Sequence, residues 1–358
     1  DVYADAPNDN TIKADYDKVY GSRFLNRINR RAAQMIKARV LLLAASPAFN
    51  PANDLSKWEA AANAAAEVIN VNGGLNSLVN NRLEYYLNEN NADIIWRKDY
   101  TNSRNLETDH FPPSLYGTGR MNPTQNLVDA FPASNGFPIS DALSGYNVNA
   151  PYTSRDPRLD KYIVYNGGKV KNTTINTIDG AKDGINMVAG SSTRTGYYMK
   201  KHMNQNVNLT PGNLISQRHF QTLMRYTEAF LIYAEAANEA WGPDGTGTNA
   251  YSAKDIIAMI RSTAGFTTDN YLPTVTDKVL MRDLVKNERR IELSFEGFRF
   301  WDIRRWNDKV LMKEPARGTQ DGGISSIHVE NRSYEDYMIY GPIPDSECRK
   351  GLVQNKGW

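Results

Sequence analysis

The chain has 358 residues and 40.3 kDa, and 42 Lys and Arg against 40 Asp and Glu leave a formal net charge of +2. That balance supplies no basic field for nucleic acid, whose binding rests on phosphate neutralisation. A hydrophobic content of 41% is enough for a substantial core and excludes wholesale disorder. The longest apolar run, Val40 to Ala45, is stopped by Pro47, far short of the roughly 20 residues a membrane span requires. One cysteine, Cys348, rules out an internal disulfide and a Cys-rich zinc site, and four histidines give no pattern for a metal or cofactor.

In chain order, the opening DVYADAPNDNTIKADYDKVYG is polar and turn-rich, without an initiator Met, a basic n-region or an apolar h-region. Residues Ser22 to Asn70 then predict a helical hairpin. Leu25, Ile28, Ala32, Met35 and Ile36 keep one face of a 3.6-residue period, and from Ala38 to Ala45 the helix is apolar nearly all round, as for a helix sandwiched between neighbours. Pro47 and Pro51 end it. The partner helix, Leu55 to Asn70, puts Leu55, Trp58, Ala62, Ala65 and Ile69 on one stripe before Gly73-Gly74, and its alanines allow close backbone approach.

From Gly73 to Ser216 the periodicity fades. Asn, Gly, Pro, Ser, Thr and Tyr dominate, turn dipeptides such as Asn135-Gly136 and Asn166-Gly167 recur, and only short strand-like pieces stand out, at Tyr162 to Tyr165 and Tyr197 to Met199. So long a loop region, too aromatic to be disordered, predicts an ordered surface carried on a rigid frame, where binding usually lives.

A second hairpin follows. RYTEAFLIYAEAANEAWG places Tyr226, Ala229, Phe230, Tyr233, Ala237 and Ala240 on one face, and a Gly-rich turn leads to a helix with Ala253, Ile256, Ile257, Ile260 and Ala264 inward, stopped by Gly265. A further helix spans Thr276 to Phe295, with Leu280, Leu284, Ile291 and Phe295 on its inner stripe and Gly297 at its end. Paired helices that cannot bury their faces alone are the tetratricopeptide logic. The fold class is therefore mostly α: tetratricopeptide-like helical hairpins packed as a scaffold, with a large loop-rich region containing short strands. The divisions are 1–72, 73–216 and 217–358.

The densest motif is KNERRIELSFEGFRFWDIRRW, in which Glu288, Glu292 and Glu296 project from one helix face. A carboxylate metal site would need a Glu-x-x-His partner, which is absent. The reading favoured is an ion-pair network with Arg289, Arg290, Arg299, Arg304 and Arg305 over a buried Phe298, Trp301 and Trp306 cluster. No Gly-x-Ser-x-Gly elbow, P-loop or dinucleotide fingerprint occurs, so no catalytic residue is assigned. The loop aromatics carry the binding expectation: Tyr100, Phe111, Tyr116, Tyr146 and Tyr152 lie among amides and hydroxyls, the combination that stacks on a sugar face and bonds its hydroxyls. Trp96, in the apolar ADIIW run, is expected in the core.

Several segments, in order, resemble one family: AAQMIKARVLLLAASPAFNP, NPTQNLVDAFPASNGFPI, SRDPRLDKYIVYNG, TGYYMKK, RYTEAFLIYAEAANEA, the acidic–arginine motif above and the ending YGPIPDSECRKGLVQNKGW. They resemble the SusD/RagB family of nutrient-binding outer-membrane lipoproteins of Bacteroidetes. The resemblance implies four tetratricopeptide-like helix pairs and a non-enzymatic role, binding an oligosaccharide or polysaccharide at the cell surface. It also implies a partner, a TonB-dependent outer-membrane β-barrel transporter over which the lipoprotein acts as a lid. Members carry a lipidated N-terminal cysteine and extend further upstream, so the resemblance implies a lipid anchor on an N-terminal segment missing here. Some relatives capture peptides, which keeps a helical-repeat module binding peptide or protein as the alternative.

Overall fold

In the computed structural model the described residues are 27–78 and 80–358, with Ala14, Asp15 and Lys18. Ser22 and Leu25 of the expected first hairpin lie outside them. Helix α1 spans Arg30–Ala45 and α2 spans Leu55–Val71. Asn29 and Asp54 accept from Ala32 and Ser56 backbone N–H groups, giving both helices side-chain N-caps. Ala32, Met35, Ala38, Leu42 and Ala45 of α1 are buried against α2, whose Trp58, Ala61, Ala65 and Ile69 are likewise buried.

Two expectations for this hairpin are corrected. Ile28, Ile36, Val40 and Leu43 are exposed, so α1 is packed along one side rather than sandwiched among the described residues. Leu55, expected on the inner stripe of α2, is also exposed, because burial there starts at Trp58, one turn further in.

Strand β1, Ile94–Ser103, pairs antiparallel with β2, Gln217–Arg225, and this ribbon leads directly into α3, Tyr226–Trp241. Residues 226–239 of α3 are all buried. Alanines at 229, 234, 236 and 237 let α1, α2, α4 (Ala253–Ala264) and α5 (Lys278–Glu292) pack around it. Four of its polar side chains are matched by partners from other elements. Glu228 accepts from Arg39, Glu235 from Arg305 and the Trp306 indole, Glu239 from Arg282, and Thr227 donates to Asp93. A Ser252–Asp255 capping box starts α4, and Gly265 ends it at φ 101°, a backbone angle that favours glycine.

Helix α5 ends at Glu292, three residues earlier than the sequence predicts. Phe295 (φ 64°) and Gly297 (φ 84°) turn the chain into α6, Phe298–Arg305. The buried Lys201 ammonium fixes this turn by donating to the Glu292 and Ser294 carbonyls at 2.8 and 3.2 Å, a cation at a helix C-terminus. Met281 rather than Leu280 faces the core, and Trp301 of α6 is 67% exposed, so it takes no part in the buried cluster expected around Trp306. Two further strands, β3 (Ala316–Gln320) and β4 (Ser325–Glu330), form a hairpin.

Glu288, Glu292 and Glu296 do enter an ion-pair network, but with different partners from those expected. Glu288 meets Arg158 and Arg261 at 2.5 and 3.1 Å; Glu292 meets Arg82, Arg158 and Arg225; Glu296 meets Arg225 and Lys201 at 2.8 and 2.7 Å. Asp156, Asp93 and Asp269 complete it on Arg158, Arg225 and Arg261. The adjacent Arg289 and Arg305 belong to a second group with Asp302 and Glu235.

Burial alone would raise the Glu292 and Glu296 carboxyls. The surrounding Arg82, Arg225, Arg158 and Lys201 outweigh it and hold both at about 2. The His202 imidazole, packed against Tyr85 and Tyr86, is pushed down to about 3 by burial and by the neighbouring Lys201 cation.

Two predictions follow from this network. Arg158→Met leaves Asp156, Glu288 and Glu292 short of a buried partner and should cost about 3–5 kcal/mol in a urea titration, whereas Lys37→Met at the exposed pair with Glu67 should leave the midpoint unchanged. Because Glu292, Glu296 and His202 have depressed folded pKa values, the unfolded chain binds more protons. Stability is therefore full above pH 6.5 and falls as pH drops toward 2, by up to about 1.4 kcal/mol per pH unit for each proton. His202→Asn, which tolerates the φ of 72° at this position, should flatten the part of that fall between pH 6.5 and 5. An unchanged slope there would refute the assignment.

Candidate functional site

The loop region is folded onto the scaffold by two cores. One gathers Leu83, Val128, Phe131, Leu159, Tyr162 and Tyr197 with Ile291 of α5; the other gathers Phe111, Val164, Val170, Tyr198, Met203 and Val207. Phe111 is only 1% exposed. It has no face to offer a ligand, and the backbone at Gly117 packs against it so closely that a Cβ there would lie 2.1 Å from its carbonyl oxygen. The expectation that Phe111 is a stacking residue is therefore corrected: in a loop region this large, some rings must fill its own core.

Tyr146 and Tyr152 lie within electrostatic reach of each other, without a ring contact between them among the described residues. An Asp141-capped turn ends at Gly145 (φ 68°), and the Tyr146 N–H donates to Ser144 Oγ at 3.1 Å. The half-buried Tyr146 ring lies under the Arg155 guanidinium, 5.4 Å from its centroid, and Arg155 is held by the carbonyls of Pro151, Val128 and Phe131. Tyr152 stacks on Tyr165 with centroids 4.2 Å apart and planes at 22°. Its hydroxyl donates to Tyr197, which donates to Gln125, which donates to Asp129; Arg317 of β3 donates to the other Asp129 oxygen at 2.7 Å. Burial pushes the Tyr152 and Tyr165 phenols up to about 12, so both stay neutral hydrogen-bonding groups. Gly323 is required behind Tyr152, because a Cβ there would sit 2.3 Å from its hydroxyl.

Tyr100 and Tyr116 sit elsewhere. Tyr100, 42% exposed on β1, donates to Gln221 of β2 and carries Lys98 over its ring at 5.4 Å. Tyr116, 52% exposed at φ 63°, carries Lys182 at 5.6 Å. Among the described residues no ring contact joins either to the Tyr146–Tyr152 group. Trp96 is partly buried against the main core.

Sequence reasoning missed Tyr165 and Tyr197, whose only signal was their place in strand-like pieces. It also missed the exposed pair Phe300 and Trp301, whose ring centroids are 5.0 Å apart at 82°. A separate cavity of about 240 Å³ lies in the scaffold, lined by Asn50, Trp58, Glu235, Arg282, Lys286 and Trp306 among others, and none of the five candidate aromatics lines it. No group of three or more His, Cys, Asp or Glu among the described residues could hold a metal ion. No helix among them is long and apolar enough to cross a membrane.

The fold is a frame of paired helices bearing an ordered, tyrosine-rich loop region. The SusD family pattern matches residues 84–358, and the chain belongs to that family. A stretch of 100 residues is 32% identical to a SusD-like protein, P38, of Formosa agariphila, covering 28% of this chain and 20% of that one. A SusD-like protein of Bacteroides fragilis has the same fold with a TM-score of 0.73 at 24% identity, over 95% of this chain and 67% of that one. A SusD-like carbohydrate-binding protein of the same species gives 0.72 at 23%, over 92% and 65%. Surface glycan-binding protein A of Bacteroides fluxus gives 0.60 at 22%, over 98% and 69%. The chain thus spans about two thirds of these solved structures, and the matched stretch covers one fifth of the Formosa protein.

Proposed function

We propose that the protein captures a glycan at the bacterial surface, without transforming it, and delivers it to a TonB-dependent outer-membrane β-barrel transporter. Attachment to the outer membrane through a lipid anchor belongs to the same proposal. Family membership supports the glycan class, and two structural relatives are described as carbohydrate- or glycan-binding. The observation that carries the reading to this chain is the Tyr146–Tyr152 group. Half-buried rings offer apolar area, while fixed phenol hydroxyls and the Asp129 carboxylate beside them offer polar groups, the division of labour a saccharide needs.

In this reading residues 73–216 present the ligand surface, and 1–72 and 217–358 hold it. Tyr100 and Tyr116 serve as separate outlying rings. The peptide-binding alternative would instead use the exposed apolar edge of α1 at Ile36, Val40 and Leu43.

Affinity electrophoresis through neutral polysaccharides separates these possibilities. Tyr146→Ala with Tyr152→Ala should weaken retention about tenfold or more, the effect of losing roughly 1.4 kcal/mol of ring contact. Val40→Asp should leave it unchanged. Retention lost with Val40→Asp but kept in the tyrosine variant would favour the α1 edge. Polysaccharide incubated with the protein should show no new reducing ends.

A further inference from the structure

Among the described residues every buried arginine but Arg155, which bonds three backbone carbonyls, is neutralised by a carboxylate. Arg82, Arg158, Arg225, Arg261, Arg289 and Arg305 each lie within 4 Å of at least one carboxylate. One place departs from this rule. A cavity of about 450 Å³ opens between α6 and the segment after β4, with Arg299, Arg304 and Arg332 in its wall. None of the three has an ion-pair partner among the described residues.

Arg299 stands over the Trp306 ring at 5.9 Å, and Arg304 lies on the Phe300 ring at 3.5 Å and donates to the Phe300 carbonyl. Asn331 spends its carbonyl on His328, and Ser333 and Tyr334 add hydroxyls, so the wall is rich in donors. The carboxylate in the wall is Glu330, exposed and 3.8 Å from Arg194. Of the acids in electrostatic reach of Arg299, Asp302 is engaged by Arg289 and Arg305, and Asp308 accepts from the Leu311 N–H. Glu314, also in reach, lies beyond ion-pair distance.

Next to this wall Arg290 too lacks an ion pair among the described residues, and burial followed by the Arg299 charge pushes it down to about 10. The floor is apolar, made of Ile303, Met312 and Tyr334. At the edge the Phe300 and Trp301 rings are 52% and 67% exposed. Crowded guanidiniums without a counter-charge repel one another, and their planar forks fit the oxygens of a sulfate or carboxylate. A volume of this size suits one or two sugar units.

We propose that this cavity is an oxyanion-binding site for an acidic saccharide. A sulfate ester or uronate carboxylate sits among Arg299, Arg304 and Arg332, and the sugar ring bearing it, or the next one, packs on Phe300 and Trp301. This deepens the glycan reading, on which it rests, by assigning a second contact point and a charge class to the ligand.

The test is affinity electrophoresis of the full chain through chondroitin sulfate, chemically desulfated chondroitin and neutral dextran, with inorganic sulfate as competitor. Retention on at least one acidic polymer, displaced by sulfate, is expected. Loss on desulfation assigns the contact to sulfate; persistence assigns it to the carboxylate. Arg299→Gln with Arg332→Gln should weaken that retention at least tenfold, as should Arg332→Gln alone in part, since Arg332 is exposed and not needed for packing. Glu330→Gln should strengthen it several-fold by removing the opposing charge, an effect that damage to the fold cannot mimic. Acidic retention unchanged in the double variant, or weakened by Glu330→Gln, would overturn the assignment. Binding to neutral polymer alone would sink this inference and leave the glycan reading standing, whereas no retention on any polymer would sink both.

Discussion

The structure depends on the buried meeting of carboxylates at the end of α5 with cations that arrive from distant parts of the chain. Arg82, Arg158 and Lys201 come from the loop region, and Arg225 and Arg261 from the scaffold. Each charge would be costly to bury alone, and each is tolerable only when all its partners are in place. A set of this kind has few alternative arrangements. It therefore fixes how the loop region sits on the helices, besides contributing to stability.

The tyrosine group inherits its position from that constraint. Tyr152 and Tyr165 flank the short helix Pro157–Tyr162, and Arg158 of that helix is clamped by Asp156, Glu288 and Glu292. On the other side, the relay from Tyr152 through Tyr197, Gln125 and Asp129 ends on Arg317, which ties the loops to the β3–β4 hairpin. Rings held by packing below and hydrogen bonds behind lose little freedom on meeting a ligand, which is how loops on a rigid frame become a recognition surface. The contrast in arginine use divides the protein further: interior guanidiniums are spent on structure, while those beside α6 keep their hydrogen-bonding capacity.

Local signals were legible where the physics is local. The α2 stripe of Trp58, Ala62, Ala65 and Ile69, the α4 stripe of Ile256, Ile257 and Ile260, and the Gly265 stop all emerge from spacing and backbone preference. The β1–β2 ribbon was not legible. Its strands are more than a hundred residues apart, and register shifts at Trp96 and between Asp99 and Asn102 break the two-residue alternation that would mark them. At the site, composition singled out Tyr146 and Tyr152 and equally Phe111. A phenylalanine filling a loop core and a tyrosine half-open beside it share the same polar, glycine-rich surroundings in one dimension.

By itself the sequence determined the helical frame, the identity of the acidic positions on α5 and the family resemblance, because periodicity, capping and ordered motifs are properties of neighbouring residues. Only the tertiary structure decided which arginines those acids bind, which rings keep a face toward solvent, and that Arg299, Arg304 and Arg332 have no ion-pair partner among the described residues. Pairing and exposure depend on what long-range folding brings within a few ångströms, and no spacing along the chain encodes that distance.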